Sequence, residues 1–183
     1  MRIVVTENVT LDGVIDAAGD WFRPSSPATD TSDQVAAIRS LMAAESAQLY
    51  GRSTFESFRS FWPAQRDVDQ TGISAHLDEV PKYVLSSTLG EDPGWGATVV
   101  RSLSELPDGE GVLGVTGSIS VVHELLRSEL VDELRLFVFP VVLGSGRRLV
   151  PDGLRVNLSL VSSEPFGSGV VLQTYRPAAP AAD

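Results

Sequence analysis

Short runs of apolar, mostly β-branched residues recur along the chain, and several end in a glycine-bearing turn that leads into a segment with helical spacing. That alternation implies an α/β architecture, with helices covering a sheet. Residues 2–9 read as a first strand and 10–15 as a turn around Gly13. Thr31, followed three residues later by Gln34, has the form of a capping box. Val35, Ile38, Leu41 and Met42 then share one face, so a helix is expected to about Ser46. Residues 47–50 read as a short buried strand. The helix after Gly51 carries Phe55, Phe58 and Phe61 until Trp62 and Pro63 stop it. Residues 82–86, 98–100 and 112–115 read as further strands, with a helix over 118–127. Residues 133–143 form a long apolar strand ending at Gly144, and 156–164 with 169–175 look like a final antiparallel pair. Between 16 and 30, Gly, Pro, Ser and Asp surround Trp21 and Phe22, as expected of a lid over a site.

With 183 residues and 43% hydrophobic content, one domain over 1–176 is the economical expectation, followed by a disordered tail over 177–183. The absence of cysteine excludes disulfides, a thiolate metal site and a cysteine nucleophile, and it points to the cytoplasm. His76 and His123 are too isolated for a metal site. The start of the sequence lacks the pattern of a signal peptide, and no apolar run approaches the ~20 residues of a membrane span. A net charge of −10 argues against nucleic acid as a partner, so any phosphate must be met locally by particular arginines, backbone N–H groups and helix starts.

Three places offer that combination. They are Gly51, Arg52, Ser53 and Thr54; then Ser86, Ser87 and Thr88; and then Thr116, Gly117, Ser118 and Ile119. Arg52 follows a glycine at a helix start, where a guanidinium can hold a phosphate bidentately. Residues 51–56 resemble the glycine-arginine-any-threonine-aromatic-acidic motif of dihydrofolate reductases, and residues 82–87 resemble the family's next strand with its paired serines. Gly117 and Ser118, together with 130–149, look closer to one branch. That branch is the C-terminal reductase domain of the bifunctional riboflavin-biosynthesis deaminase-reductase and its stand-alone relatives. Residues 10–13 fit it as well.

The resemblance implies a dihydrofolate-reductase-like three-layer α/β/α fold, with a central mixed, mainly parallel sheet and a C-terminal antiparallel hairpin. It implies NADPH as cofactor. Arg52, Ser53 and Thr54 behind Gly51 would meet the 2′-phosphate and diphosphate, Ser86 and Ser87 the adenine-ribose end, and Gly117, Ser118 and Ile119 the diphosphate. Thr10, Asp12 and Gly13 would lie near the nicotinamide. The third turn departs from the commoner reductase pattern, since a single glycine stands where two or three usually follow one another.

The family's carboxylate on the first helix would correspond to Asp30 or, for catalysis, Asp33, with water as the alternative proton source. Trp21, Phe55 and Trp62 could wall a flat heterocycle. The implied activity is hydride transfer from NADPH to a small pterin, pyrimidine or carbonyl metabolite. The alternatives are the 5-amino-6-(5-phosphoribosylamino)uracil reductase of riboflavin biosynthesis, a dihydrofolate reductase, and a non-catalytic nucleotide-binding protein. A homodimer paired through the sheet is expected in each case. No deaminase zinc motif is present.

Overall fold

A computed structural model describes residues 1–16, 19–23 and 28–178. Its strands are β1 (Arg2–Thr10), β2 (Ala47–Gly51), β3 (Lys82–Leu85), β4 (Ala97–Val100), β5 (Val112–Val115), β6 (Glu133–Phe139), β7 (Leu158–Pro165) and β8 (Val171–Pro177). They form one sheet in the order β4-β3-β2-β5-β1-β6-β8-β7. The first six neighbours in that order run parallel, whereas β8 and β7 join antiparallel. The helices are α1 (Ser32–Ala43), α2 (Arg52–Phe61), α3 (Ile73–Glu79) and α4 (Ile119–Arg127). The three-layer, mainly parallel arrangement with an antiparallel C-terminal hairpin is the one expected.

Side chains alternate across the sheet, so each face has its own core. On one face Val121, Val122, Leu125 and Leu126 of α4 pack on Val5, Leu49, Leu113, Val115 and Leu134. On the other, Ala37, Ile38 and Leu41 of α1 pack near Phe137, Phe139, Phe166 and Leu172, while Tyr50, Phe55 and Val84 gather Phe58 and Trp95. The second face is also where the sheet carries polar side chains, among them Gln48, Lys82 and Arg135, all buried.

Several boundaries differ from the sequence expectation for local reasons. α1 ends at Ala43, three residues early, and Thr31 makes no side-chain cap; instead the Asp30 carboxylate accepts the Ser32 N–H at 2.9 Å. β6 stops at Phe139 because Pro140 cannot donate to a ladder. The closing pair lies at 158–165 and 171–177, shifted two residues toward the C-terminus at the start of each strand. Helix α3 was not anticipated; seven residues carry too few periodic positions to announce it. Pro177 belongs to β8 and the Ala178 N–H donates to Asn157, so these two residues of the expected tail are tied in; 179–183 lie outside the described residues. Residues 17, 18 and 24–27 of the expected lid also lie outside them. Among the described residues no helix is long and apolar enough to cross a membrane, and no cluster of His, Asp and Glu could hold a metal.

Candidate functional site

The carboxyl ends of four adjacent parallel strands converge on one cleft of about 550 Å³. Gly51 closes β2, Ser86 and Ser87 follow β3, Arg101 follows β4, and Ser118 stands between β5 and α4. Such strand ends are where ligands sit in open α/β sheets. Of the twelve residues assigned to a cofactor from sequence, Gly51, Arg52, Ser53, Ser86, Ser87 and Ser118 line this cleft together.

Two guanidiniums enter it. Arg52 donates to Glu56 Oε1 at 2.9 Å and to Thr88 Oγ1 at 3.0 Å, which holds it against the β3 turn. Arg101 donates to the Ser86 carbonyl at 2.6 Å while its own backbone N–H is held by Glu105. The Ser86 hydroxyl accepts the Leu89 N–H at 3.1 Å and fixes the turn from within. Arg101 was missed from sequence. Its only signal is that it is the first residue past a short strand, and its value depends on β4 lying beside β3.

The turn after β5 is shaped by two glycines. A Cβ on Gly51 would fall 1.9 Å from Ser118 Oγ, so β2 and the start of α4 approach as only glycine allows. Gly117 has φ of +68°, and a Cβ there would meet Thr54 Oγ1 at 2.8 Å. The Gly117–Ser118 peptide is cis. Thr54, Gly117 and Ile119 are not among the residues that line the cleft; Thr54 packs against Gly117, and Ile119 packs on the core under α4.

Beneath this turn lies Glu7, half-buried on β1, whose Oε1 accepts the Gly117 N–H at 2.7 Å. Burial pushes its carboxyl up from 4.5 to about 7, against the opposing pull of that N–H. The raised value fixes the sign of a stability effect. Between pH 4.5 and 7 the folded protein keeps a proton that the unfolded chain releases, so this group costs stability as pH rises through that window, by no more than about 3 kcal/mol. Glu7→Gln, which keeps an acceptor for Gly117, is expected to gain stability over the parent at pH 8 and little at pH 4. Urea denaturation of both proteins at the two pH values checks this, and an equal difference at both would refute it.

The other candidates lie apart from the cleft. The Asp12 carboxyl is lowered to about 2 by the Thr10 hydroxyl at 2.6 Å, and then by the N–H groups of Gly144 and Leu143. Together with Thr10, which also accepts the Val14 N–H, and Gly13, it clamps the 10–14 turn to the segment after β6. Asp33 accepts the Gly167 N–H at 2.8 Å and the Gln34 N–H at 2.7 Å, joining α1 to the β7–β8 turn. Trp21 packs edge-on against Phe22 and Phe139 and donates to the Asp16 carbonyl. Trp62 meets Phe58 and Phe61 at the end of α2. Phe55 is fully buried beneath Trp95 and Arg59, so it is a core residue with no surface left to wall a pocket.

The fold and the row of strand-end turns define a dihydrofolate-reductase-like α/β protein. The chain belongs to the RibD C-terminal domain family, whose profile matches residues 95–172. It is 31% identical over 187 residues to YyaP of Bacillus subtilis (strain 168), an uncharacterized protein, covering 96% of this chain and 94% of that one. Among solved structures, a Shewanella sp. PV-4 protein provisionally assigned to riboflavin biosynthesis superposes with a TM-score of 0.73 at 24% identity, over 97% of this chain and 99% of that one. A pyrimidine reductase-like protein of Corynebacterium diphtheriae gives 0.61 at 13% identity, over 98% and 92%. The dihydrofolate reductase of Enterococcus faecalis, complexed with NADP(H), gives 0.61 at 18% identity, over 96% of each chain. At these identities the structures speak to the fold alone.

Proposed function

We propose that the strand-end cleft binds NADPH and that the protein is an NADPH-dependent oxidoreductase, passing hydride to a small pterin, pyrimidine or carbonyl metabolite. The observation that carries this reading is the meeting of Arg52 and Arg101 with the serine turns of β3 and α4 in one cleft. Two guanidiniums among hydroxyls suit a phosphate ester, and they matter in a chain of net charge −10 that otherwise repels one. Arg52, Arg101, Ser53, Ser86 and Ser87 would hold the 2′-phosphate end, while Ser118 and the start of α4 would meet the diphosphate. The cofactor, when bound, supplies the hydride. A dihydrofolate reductase of the same fold carries NADP(H), which supports the choice.

In titrations followed by tryptophan fluorescence, NADPH is expected to bind at least tenfold more tightly than NADH, and Arg52→Ala to remove that preference. Binding of neither nucleotide overturns the reading.

The engagement of Asp33 with Gly167 and Gln34 favours water over Asp33 as proton source, and it also gives weight to nucleotide binding without turnover. Steady NADPH oxidation with pterin, pyrimidine or carbonyl substrates separates the two. We further infer a homodimer. The edge strand β7 is exposed along its whole length, with Leu158, Leu160 and Val161 at the surface, and an uncovered apolar edge invites pairing. Sedimentation as a monomer at micromolar concentration would refute it.

A further inference from the structure

Odd-numbered residues of β1 face the core under α4, where Ile3, Val5 and Val9 are buried among apolar side chains, and Glu7 stands in that row. A carboxyl placed there is penalised by burial. The register of the sheet shows what it does. β5 pairs with β1 from Arg2 to Val5 only, whereas β6 follows β1 to Thr10. Past Val5 the strands β1 and β5 part, and the Glu7 side chain crosses the gap to accept the Gly117 N–H at 2.7 Å. On its other side Gly117 meets Thr54 of α2, since an added Cβ would fall 2.8 Å from Thr54 Oγ1. The next residue, Ser118, lines the strand-end cleft and precedes α4. A carboxyl on the central strand thus holds the backbone one residue from the cleft wall.

The charged and titratable groups on the surrounding elements are engaged elsewhere or turned outward. α4 gives Val121, Val122, Leu125 and Leu126 to the core, while its His123 meets the Arg148 carbonyl at 2.9 Å, its Glu124 lines the cleft and its Arg127 is exposed. After β6, Arg147 pairs with Asp16, and Arg148 donates to the Asp12 carbonyl. On α2, Arg52 pairs with Glu56, and Arg59 donates to the Pro93 carbonyl. On β6, Glu133 and Arg135 bond to each other on the opposite face of the sheet. What acts on the Glu7 carboxyl is burial, which pushes it up to about 7, and the Gly117 N–H, which opposes that rise.

We propose that Glu7 is a positioning residue for the bound nucleotide, and that its protonation state sets how tightly the diphosphate end is held. The inference rests on the cofactor reading above. Neutral Glu7 holds the turn through its acceptor oxygen and places no charge behind it. Ionised Glu7 keeps the hydrogen bond but sets a negative charge under the turn that would carry the diphosphate, in a buried setting where water screens little of the repulsion. The effect is reciprocal. A bound anion makes Glu7 harder to ionise, so binding at pH values just above 7 draws a proton onto this carboxyl.

The test is the NADPH affinity of the full chain, measured by calorimetry at pH 6.5 and pH 8.5 for the parent and for Glu7→Gln, which keeps an acceptor for Gly117 and stays neutral at both. The 2′-phosphate of the nucleotide, with a pKa of about 6, titrates alike in the two experiments. The parent is expected to bind at least fivefold more weakly at pH 8.5 than at pH 6.5, and the variant to change less than twofold. Urea unfolding of the variant confirms that it is folded. A fall below fivefold in the parent, a fall of twofold or more in the variant, or a folded variant that no longer binds would each overturn this role and leave the cofactor reading standing. Binding of NADPH by neither protein at either pH would overturn the cofactor reading itself, and this role with it.

Discussion

Gly51→Ala is expected to cost about 3 kcal/mol of stability and to abolish nucleotide binding, although it adds one methyl group. The reason lies in the crossing of β2 and α4. The added Cβ would fall 1.9 Å from Ser118 Oγ, 2.9 Å from Ser118 Cβ and 3.1 Å from Val121 Cγ2. The first of these lies within bonding range, so the start of α4 must move, and the Ser118 end of the cleft moves with it. The remedy follows from which atoms clash. Ser118→Gly removes the two closest and leaves only the tight contact with Val121, so the double variant Gly51→Ala, Ser118→Gly should recover most of the stability. Its nucleotide affinity should recover only in part, since the Ser118 hydroxyl is gone. Denaturant unfolding of the parent, both single variants and the double variant gives the coupling energy directly. Additive losses would mean that the two residues do not meet and that the cleft is not shaped by their contact.

The same crossing explains why so much of this cleft was legible in the sequence. A glycine followed by an arginine at a helix start, paired serines after a strand and a glycine-serine turn are all local signals, each carried by neighbouring residues. What was not legible depends on residues far apart in the chain. Arg101 acquires meaning only once β4 is placed beside β3. Glu7 looks like an ordinary alternating strand residue until Gly117, 110 residues later, lands on its carboxylate. Glu45 reads as a solvated helix-end acid until Gly114 provides the gap that takes it into the interior. Phe55 shows the converse limit. Its helical spacing is the same for a core residue and a pocket wall, and only the packing of Trp95 and Tyr50 around it decides for the core. Proline set the end of β6 more sharply than hydropathy, which runs on through Val141 to Leu143.

The second large effect concerns the interior strand β6, where a buried acid holds three arginines. Glu133 accepts Arg135 Nε at 2.8 Å on one oxygen and Arg176 Nη2 at 3.1 Å on the other, with Arg2 3.9 Å away. Burial alone would raise this carboxyl, yet the hydrogen bonds from Arg135 and Arg176 and the charges of Arg135 and Arg2 outweigh it and hold the group below its ordinary 4.5. Glu133→Ala is therefore expected to cost about 4 kcal/mol at pH 7, because it strips Arg135, whose side chain is only 10% exposed, of its hydrogen-bonded counter-charge and leaves only the electrostatic pull of Glu45. Replacing both members, Glu133→Leu with Arg135→Leu, should restore most of that loss, since an apolar pair demands no solvation. Arg2 and Arg176 stay half exposed and can turn to water. The pH dependence has a definite sign. A carboxyl held below its unfolded value stabilises fully above pH 4.5 and loses that contribution as pH falls through the folded value. The gap between the parent and the double variant should thus move in the variant's favour on going from pH 7 to pH 3. A Glu133→Ala cost below about 1 kcal/mol at pH 7 would mean that Arg135 reaches water or another acid, and that the ion pair seen beneath β6 does not hold this part of the sheet.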